Sequence, residues 1–206
     1  MSTTIRRRPG RPPKAEAGDT KAALVDAALR LFAQHGYAGT SIRAIAREVG
    51  LSESVLYAHF DGKQAIYQAA MELAGPQVAM VAISSAPADP AEFVRSFAAQ
   101  LLEAWDTPRA RQVMSLVARD GLIHDPVLAA GIEQALHHLA EIFASWDLDP
   151  SLGSPDDLAY ALLAPIAHAR LLWLHDAATP DQRETAHHRI TRHATLFAHS
   201  LTHPTP

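Results

Sequence analysis

The sequence predicts an all-α protein of about nine helices. Three observations carry this. Apolar residues recur at spacings of three and four through most of the chain. Clusters of Gly, Pro, Ser and Asp fall between those stretches. No hairpin signal and no sustained period-two alternation interrupts them.

Residues 1–16 are rich in Arg, Pro and Gly, bury nothing, and are expected to be a disordered basic arm. Helix one is expected over about 20–34, with Thr20 as N-cap and Leu24, Ala28, Leu31 and Phe32 on one face. Gly36 suits a left-handed cap at its end. Helix two spans about 41–48 behind Thr40 or Ser41, with Ile42, Ile45, Ala46 and Val49 inward. Helix three spans about 52–58, capped by Ser52, with Val55, Leu56 and Phe60 as its apolar positions. Helix four starts near 62, where Asp61 and Gln64 read as a capping box, and runs toward Ala74. Gly75-Pro76 is placed to end or kink it. A Ser/Ala/Pro loop at 84–90 leads to amphipathic stretches at about 90–105, 108–120, 126–146, 155–175 and 180–202. Between them lie "DTPR", "GLIHDP", "DLDPSLGSP" and "ATPD".

Composition narrows the function. The chain has 206 residues, 48% of them hydrophobic and 19% charged, which suits a soluble globular protein. It has no cysteine, so disulfides, zinc-thiolate sites and thiol catalysis are excluded. The N-terminus carries no apolar core of a secretory signal, and no stretch is long enough to span a membrane, so a cytoplasmic protein without a membrane partner is expected. The net charge of −4 hides an asymmetry. Residues 1–63 hold ten Lys/Arg against six Asp/Glu, net +4, and residues 64–206 hold eight against sixteen, net −8. A basic front on an acidic body points to a polyanionic partner for the front.

The stretch 40–60, "TSIRAIAREVGLSESVLYAHF", sets two short helices around Gly50. Ala46 is small where they would cross, and Gly50 sits where the turn needs positive φ. This pattern fits a helix-turn-helix, whose second helix enters the DNA major groove. Two packed helices of a plain bundle fit it as well. The outward face of helix three would be Ser52, Glu53, Ser54, Tyr57, Ala58 and His59, groups suited to base edges and phosphates.

The run "AALRLFAQHGYAGTSIRAIAREVGLSESVLYAHFDGKQAIY" resembles the DNA-binding domain of tetracycline-repressor (TetR) family regulators. Phe32, Gly36, Tyr37, Thr40, Ile45, Ala46, Gly50, Leu56, Tyr57, His59, Phe60 and Lys63 carry the resemblance. It implies a three-helix helix-turn-helix DNA-binding domain over 17–63 and a larger helical ligand-binding and dimerisation domain over 64–206. It implies phosphate contacts from Thr40, Tyr57, His59 and Lys63. Arg43 reaches a base edge or a phosphate. Ser52, Glu53 and Ser54 are the candidate base readers. Tyr57 also fits a core role, Ser52 a simple cap and Lys63 a solvated surface. Glu53 departs from the family's usual Lys, Arg or Pro: it reads a cytosine amine, or it only favours the positive end of its helix. The arm's Gly10-Arg11-Pro12 resembles an AT-hook, with Arg11 entering a minor groove; a generic basic tail is the alternative.

In the resembling family the remaining helices bind a small effector and pair two chains. Here the pairing segments would be about 155–175 and 180–202, giving a homodimer on double-stranded DNA. Phe93, Phe97, Leu101, Trp105, Met114, Val117 and His168 are candidate pocket residues for an apolar effector, though each also fits plain core packing. Pro165 is expected to bend its helix. Twelve histidines, including His137-His138, His187-His188 and the pair His199 and His203, raise metal response as an alternative, but no third ligand stands at fixed spacing. No nucleophile elbow, phosphate loop or zinc motif is present, so an enzyme is not expected, nor is a cofactor. The reading is a ligand-responsive regulator, most simply a repressor released from a palindromic operator. A ligand-independent DNA-binding or architectural protein is the alternative.

Overall fold

The computed structural model describes residues 14–72, 89–121 and 126–203. Among these it contains nine α-helices and no strand. They are α1 (Lys14–Gly39), α2 (Ile42–Glu48), α3 (Glu53–Tyr57), α4 (Lys63–Glu72), α5 (Pro90–Trp105), α6 (Pro108–Arg119), α7 (Pro126–Ala144), α8 (Pro155–Trp173) and α9 (Pro180–Thr202). A single 3₁₀ turn, Pro150–Leu152, precedes α8.

Four of these helices open on the same device. Asp89, Thr107, Ser154 and Thr179 each accept a backbone N–H from the first turn, and a proline follows each of them. Proline at that position gives up no helical hydrogen bond, and its fixed φ suits the helix start. Ser154 with Asp157, and Thr179 with Gln182, close full capping boxes. The separators "DTPR", "DLDPSLGSP" and "ATPD" therefore each hold a helix start.

The N-terminal boundaries differ from expectation. α1 begins at Lys14, so Thr20 lies inside it and does not cap it. The Lys-Ala-Glu-Ala run before Gly18 favours helix strongly enough to continue it upstream. At the other end Gly36 adopts φ 74, ψ 166, an extended mirror-image conformation in place of a left-handed helical cap. α4 begins at Lys63, and the Asp61–Gln64 capping box is not formed: Gln64 Oε1 accepts the Tyr37 hydroxyl at 2.9 Å. The AT-hook-like segment, Gly75-Pro76 and most of the Ser/Ala/Pro loop lie outside the described residues. Pro165 lies within α8, which is continuous from Pro155 to Trp173.

Two apolar clusters organise the fold. One joins α5, α7, α8 and α9 around Phe93, Phe97, Leu101, Leu139, Phe143 and Leu162. The other joins α1 to α4 around Leu24, Phe32, Ile45, Leu56 and Ile66, and also takes in Val113, Leu116 and Val117 of α6. α6 thus belongs to the N-terminal core while following directly on α5. No helix among the described residues is long and apolar enough to cross a membrane.

Candidate nucleic-acid interface and effector cavity

The α2–α3 unit is built from the outside in. Ser41 caps α2, its hydroxyl accepting from Ala44 N at 3.1 Å. Gly50 takes φ 70 in the turn, with open space where a side chain would stand, so the demand for glycine is conformational and not steric. The Ala46 carbonyl accepts from Val49 and Leu51, which tightens the turn. Ala46 and Leu56 are buried at 1% and 0% exposure, and Phe60 at 5%. These anchors leave Ser52, Glu53, Ser54, Tyr57 and Ala58 exposed and His59 half-buried. Ser52 does not cap with its side chain: its hydroxyl pairs with that of Ser54 at 2.8 Å. Val55, an apolar position of the helix, is exposed, because in so short a helix Leu56 alone faces the core.

Two expected phosphate contacts are occupied within the chain. Thr40 is 4% exposed, and its hydroxyl donates to the Gly36 carbonyl at 2.9 Å. Lys63 Nζ donates to the Tyr37 and Thr40 carbonyls at 2.7 and 2.9 Å, and lies 4.2 Å from the centre of the Tyr37 ring. An ammonium has three N–H donors, so Lys63 keeps one. Both residues fasten the α1–α2 turn. Behind them Tyr67 meets Phe32 and Tyr37 edge-on, and those two rings are tilted against each other.

Arg43 and Glu53 meet across the outer surface, Nε to Oε1 at 4.0 Å, with the Arg43 side chain 86% exposed. A pair this open contributes little to stability, so both groups remain available to a partner.

A cavity of about 420 Å³ opens among α4, α5, α6, α7 and α8. Of the expected pocket residues, Trp105, Met114, Val117 and His168 line it. Phe97 and Leu101 do not, and neither does Phe93; all three are fully buried in the adjoining core. The expectation missed Met71, Leu136, Tyr160 and Leu163, and above all Arg170. Arg170 sits with Cζ 4.4 Å from the Trp105 ring centre, and burial pushes its guanidinium down to about 10.

The cavity and the reading unit share α6. Met114 and Val117 face the cavity, while Val113 and Val117 also pack in the N-terminal core. At its ends Arg109 pairs with Asp26, Arg119 donates to the Gln34 carbonyl at 2.8 Å, and the Tyr37 N–H donates to Asp120 at 2.8 Å. The histidines do not converge: no group of three or more metal-ligating side chains occurs among the described residues. His187 instead pairs with Asp106 at 2.9 Å, and His137 with Glu141 at 3.4 Å.

Residues 24–70 match the family described as bacterial regulatory proteins, tetR family. That segment covers the latter part of α1, α2, α3 and most of α4. The chain is 30% identical over 107 residues to the transcriptional regulator AcrR of Shigella flexneri, covering half of each chain. It is 28% identical over 167 residues to the regulator SrpR of Pseudomonas putida, covering 74% of this chain and 78% of that one. Among solved structures, NalD, the secondary repressor of the MexAB-OprM multidrug efflux pump in Pseudomonas aeruginosa, superposes with a TM-score of 0.65 at 21% identity. That superposition covers 87% of this chain and 96% of NalD, and at such identity it speaks for the fold.

Proposed function

We propose that this chain, whose residues 24–70 match the tetR family of bacterial regulatory proteins, is an effector-responsive transcriptional regulator, acting as a cytoplasmic homodimeric repressor on a palindromic operator. The observation that carries this is the polar, outward face of α3, held against α2 by buried Leu56 and Phe60 inside the matched segment. Ser52, Glu53 and Ser54 read base edges, and Val55 supplies an apolar contact of the kind a thymine methyl accepts. Tyr57, His59 and Arg43 hold the backbone. Thr40 and Lys63 act chiefly by fixing the turn that aims α2 and α3. The DNA-binding domain is assigned to 17–63 and the effector and dimerisation domain to 64–206.

Pairing is assigned to α8 and α9, which expose Tyr160, Leu172 and Leu196 at 65%, 42% and 55%. Large apolar side chains left in water suit a partner face. A twofold pair would set two α3 helices into successive major grooves about 34 Å apart. The cavity takes a small effector with a largely apolar body. Its occupation shifts the population away from the DNA-competent state, through Met71 of α4 and through the face of α6 that carries Met114 and Val117. An effector bound equally well by both states would release nothing.

The test is selection of bound duplexes from a random library, followed by fluorescence anisotropy on the winners. An inverted repeat with half-sites one helical turn or a multiple of it apart is expected. Recovery of no preferred sequence, or of a single unrepeated site bound by a monomer, sinks the reading.

A further inference from the structure

Among the described residues Arg170 has no ionic counterpart. Its Nε is buried with no hydrogen-bond partner among the described residues. It lines a cavity whose other walls are mostly apolar, including Met114, Leu136 and Leu163. The residue as a whole is half-buried, and a cation held partly out of water is costly unless it is paired and its donors are used. Trp105 offers partial relief, since an indole face attracts the guanidinium. It accepts none of the five in-plane N–H bonds that an arginine presents. Even lowered to about 10 by burial, the group stays protonated at neutral pH.

Resting on the reading of this cavity as the effector site, we propose that the effector is a carboxylate-bearing amphiphile. Its single anionic head lies on the Arg170 guanidinium and its apolar body fills the space toward α6 and α7. The fork of an arginine matches a carboxylate bidentately. One cation balances one negative charge, which favours a monoanion over a phosphate dianion. The size agrees: a cavity of about 150 Å³ takes up benzene, and this one is about 420 Å³.

The test uses the full chain and matched probes: 2-naphthoate and decanoate, the corresponding alcohols, and the corresponding amines. Dissociation constants come from calorimetry. Wild type is expected to bind a carboxylate about tenfold or more tighter than its alcohol, and to bind the amine most weakly. In Arg170→Met the carboxylate preference disappears while alcohol binding persists, and in Arg170→Lys part of the preference returns. A merely structural arginine would lower the unfolding temperature on substitution and leave the acid-to-alcohol ratio unchanged. If Arg170→Met does not fold, the wild-type ratio and the lysine variant decide. The proposal is overturned if no carboxylate binds, if alcohol and acid bind wild type alike, or if Arg170→Met keeps the preference. Release of operator DNA is read separately by anisotropy. A carboxylate that binds through Arg170 without releasing DNA overturns the regulator reading and leaves the anion site standing. An alcohol that binds and releases DNA as well as the acid does the reverse.

Discussion

The reading unit and the helical body treat their polar groups in opposite ways. In the reading unit the polar groups around the α1–α2 turn are bonded within the chain. Thr40 donates to Gly36, Lys63 to two carbonyls, and Tyr37 to Gln64. The exposed groups, Ser52 to Ser54, Tyr57 and Arg43, face outward, paired at most with one another. In the body the interior is apolar, and the charged group it contains at the cavity, Arg170, is left without an acceptor at Nε. Leftover hydrogen-bonding capacity marks where a partner belongs: outside for a surface that reads, inside for a site that encloses.

The sharpest way to break the contrast is at the hinge between the regions. Gly36 takes a backbone conformation that is essentially reserved for glycine, and a Cβ there would stand 2.9 Å from Asp120 Oδ1. Gly36→Ala is expected to destabilise by about 3 kcal/mol in urea unfolding. It should also disturb the Tyr37–Asp120 bond that ties α1 to α6. A loss below about 0.5 kcal/mol, ordinary for a surface change, would mean that the hinge is not strained in the way described.

Next in size is Asp106, which joins the end of α5 to Arg111 at 2.6 Å and to His187 of α9 at 2.9 Å. Burial alone would raise its carboxyl. The hydrogen bonds from His187 and Arg111, with the charge on both, outweigh burial and hold it below the usual carboxylate value. A lowered folded pKa stabilises above the ordinary value and is lost as pH falls through the lowered one. Asp106→Asn should therefore cost about 2 kcal/mol at pH 7, and the gap between wild type and variant should begin to narrow near about pH 4 and close only as pH falls through the lowered value. A gap that stays constant into acid would assign the effect to packing.

The helix starts were legible because each joins two local signals, a capping side chain and a proline. The reading face was mostly legible because Leu56 and Phe60, four apart, define the inner side of α3. Val55 was not, since adjacent apolar residues in one turn do not say which of them faces in. Nor was the role of Lys63, because the carbonyls it grips lie 23 and 26 residues away and no local pattern encodes them. Phe97 and Leu101 share α5 with Trp105, and only tertiary placement decides which of them meets the cavity. Arg170 did carry a signal, a lone arginine in "LAYALLAPIAHARLLWL", but the apolar run around it reads first as core.

A milder perturbation separates fastening from contact. Lys63→Met removes both carbonyl bonds and is expected to destabilise by about 1 kcal/mol. Operator affinity should fall while the slope of log K against log salt stays as in wild type, because no phosphate contact is lost. Arg43→Ala should lower that slope by about one. If Lys63→Met lowers it too, the third N–H of Lys63 reaches the backbone, and the residue both fastens and contacts.

The smallest effect is expected at Glu53, and its sign is the informative part. Its pair with Arg43 is long and exposed, so Glu53→Ala should leave stability nearly unchanged. On DNA two forces oppose. Removing a carboxylate beside phosphates strengthens binding to every sequence, and removing an acceptor for a cytosine amine weakens binding to one. Arg43 adds a third contribution, since without Glu53 it is free to turn wholly to the backbone. The prediction is therefore a change in selectivity larger than the change in affinity. Measured across all four bases at each operator position, Glu53→Ala should flatten the preference at one base pair. It should also raise the salt slope slightly as Arg43 is released. A uniform gain across all sequences would leave Glu53 as a helix-end charge that DNA tolerates, and would hand base reading on this face to Ser52, Ser54 and Val55.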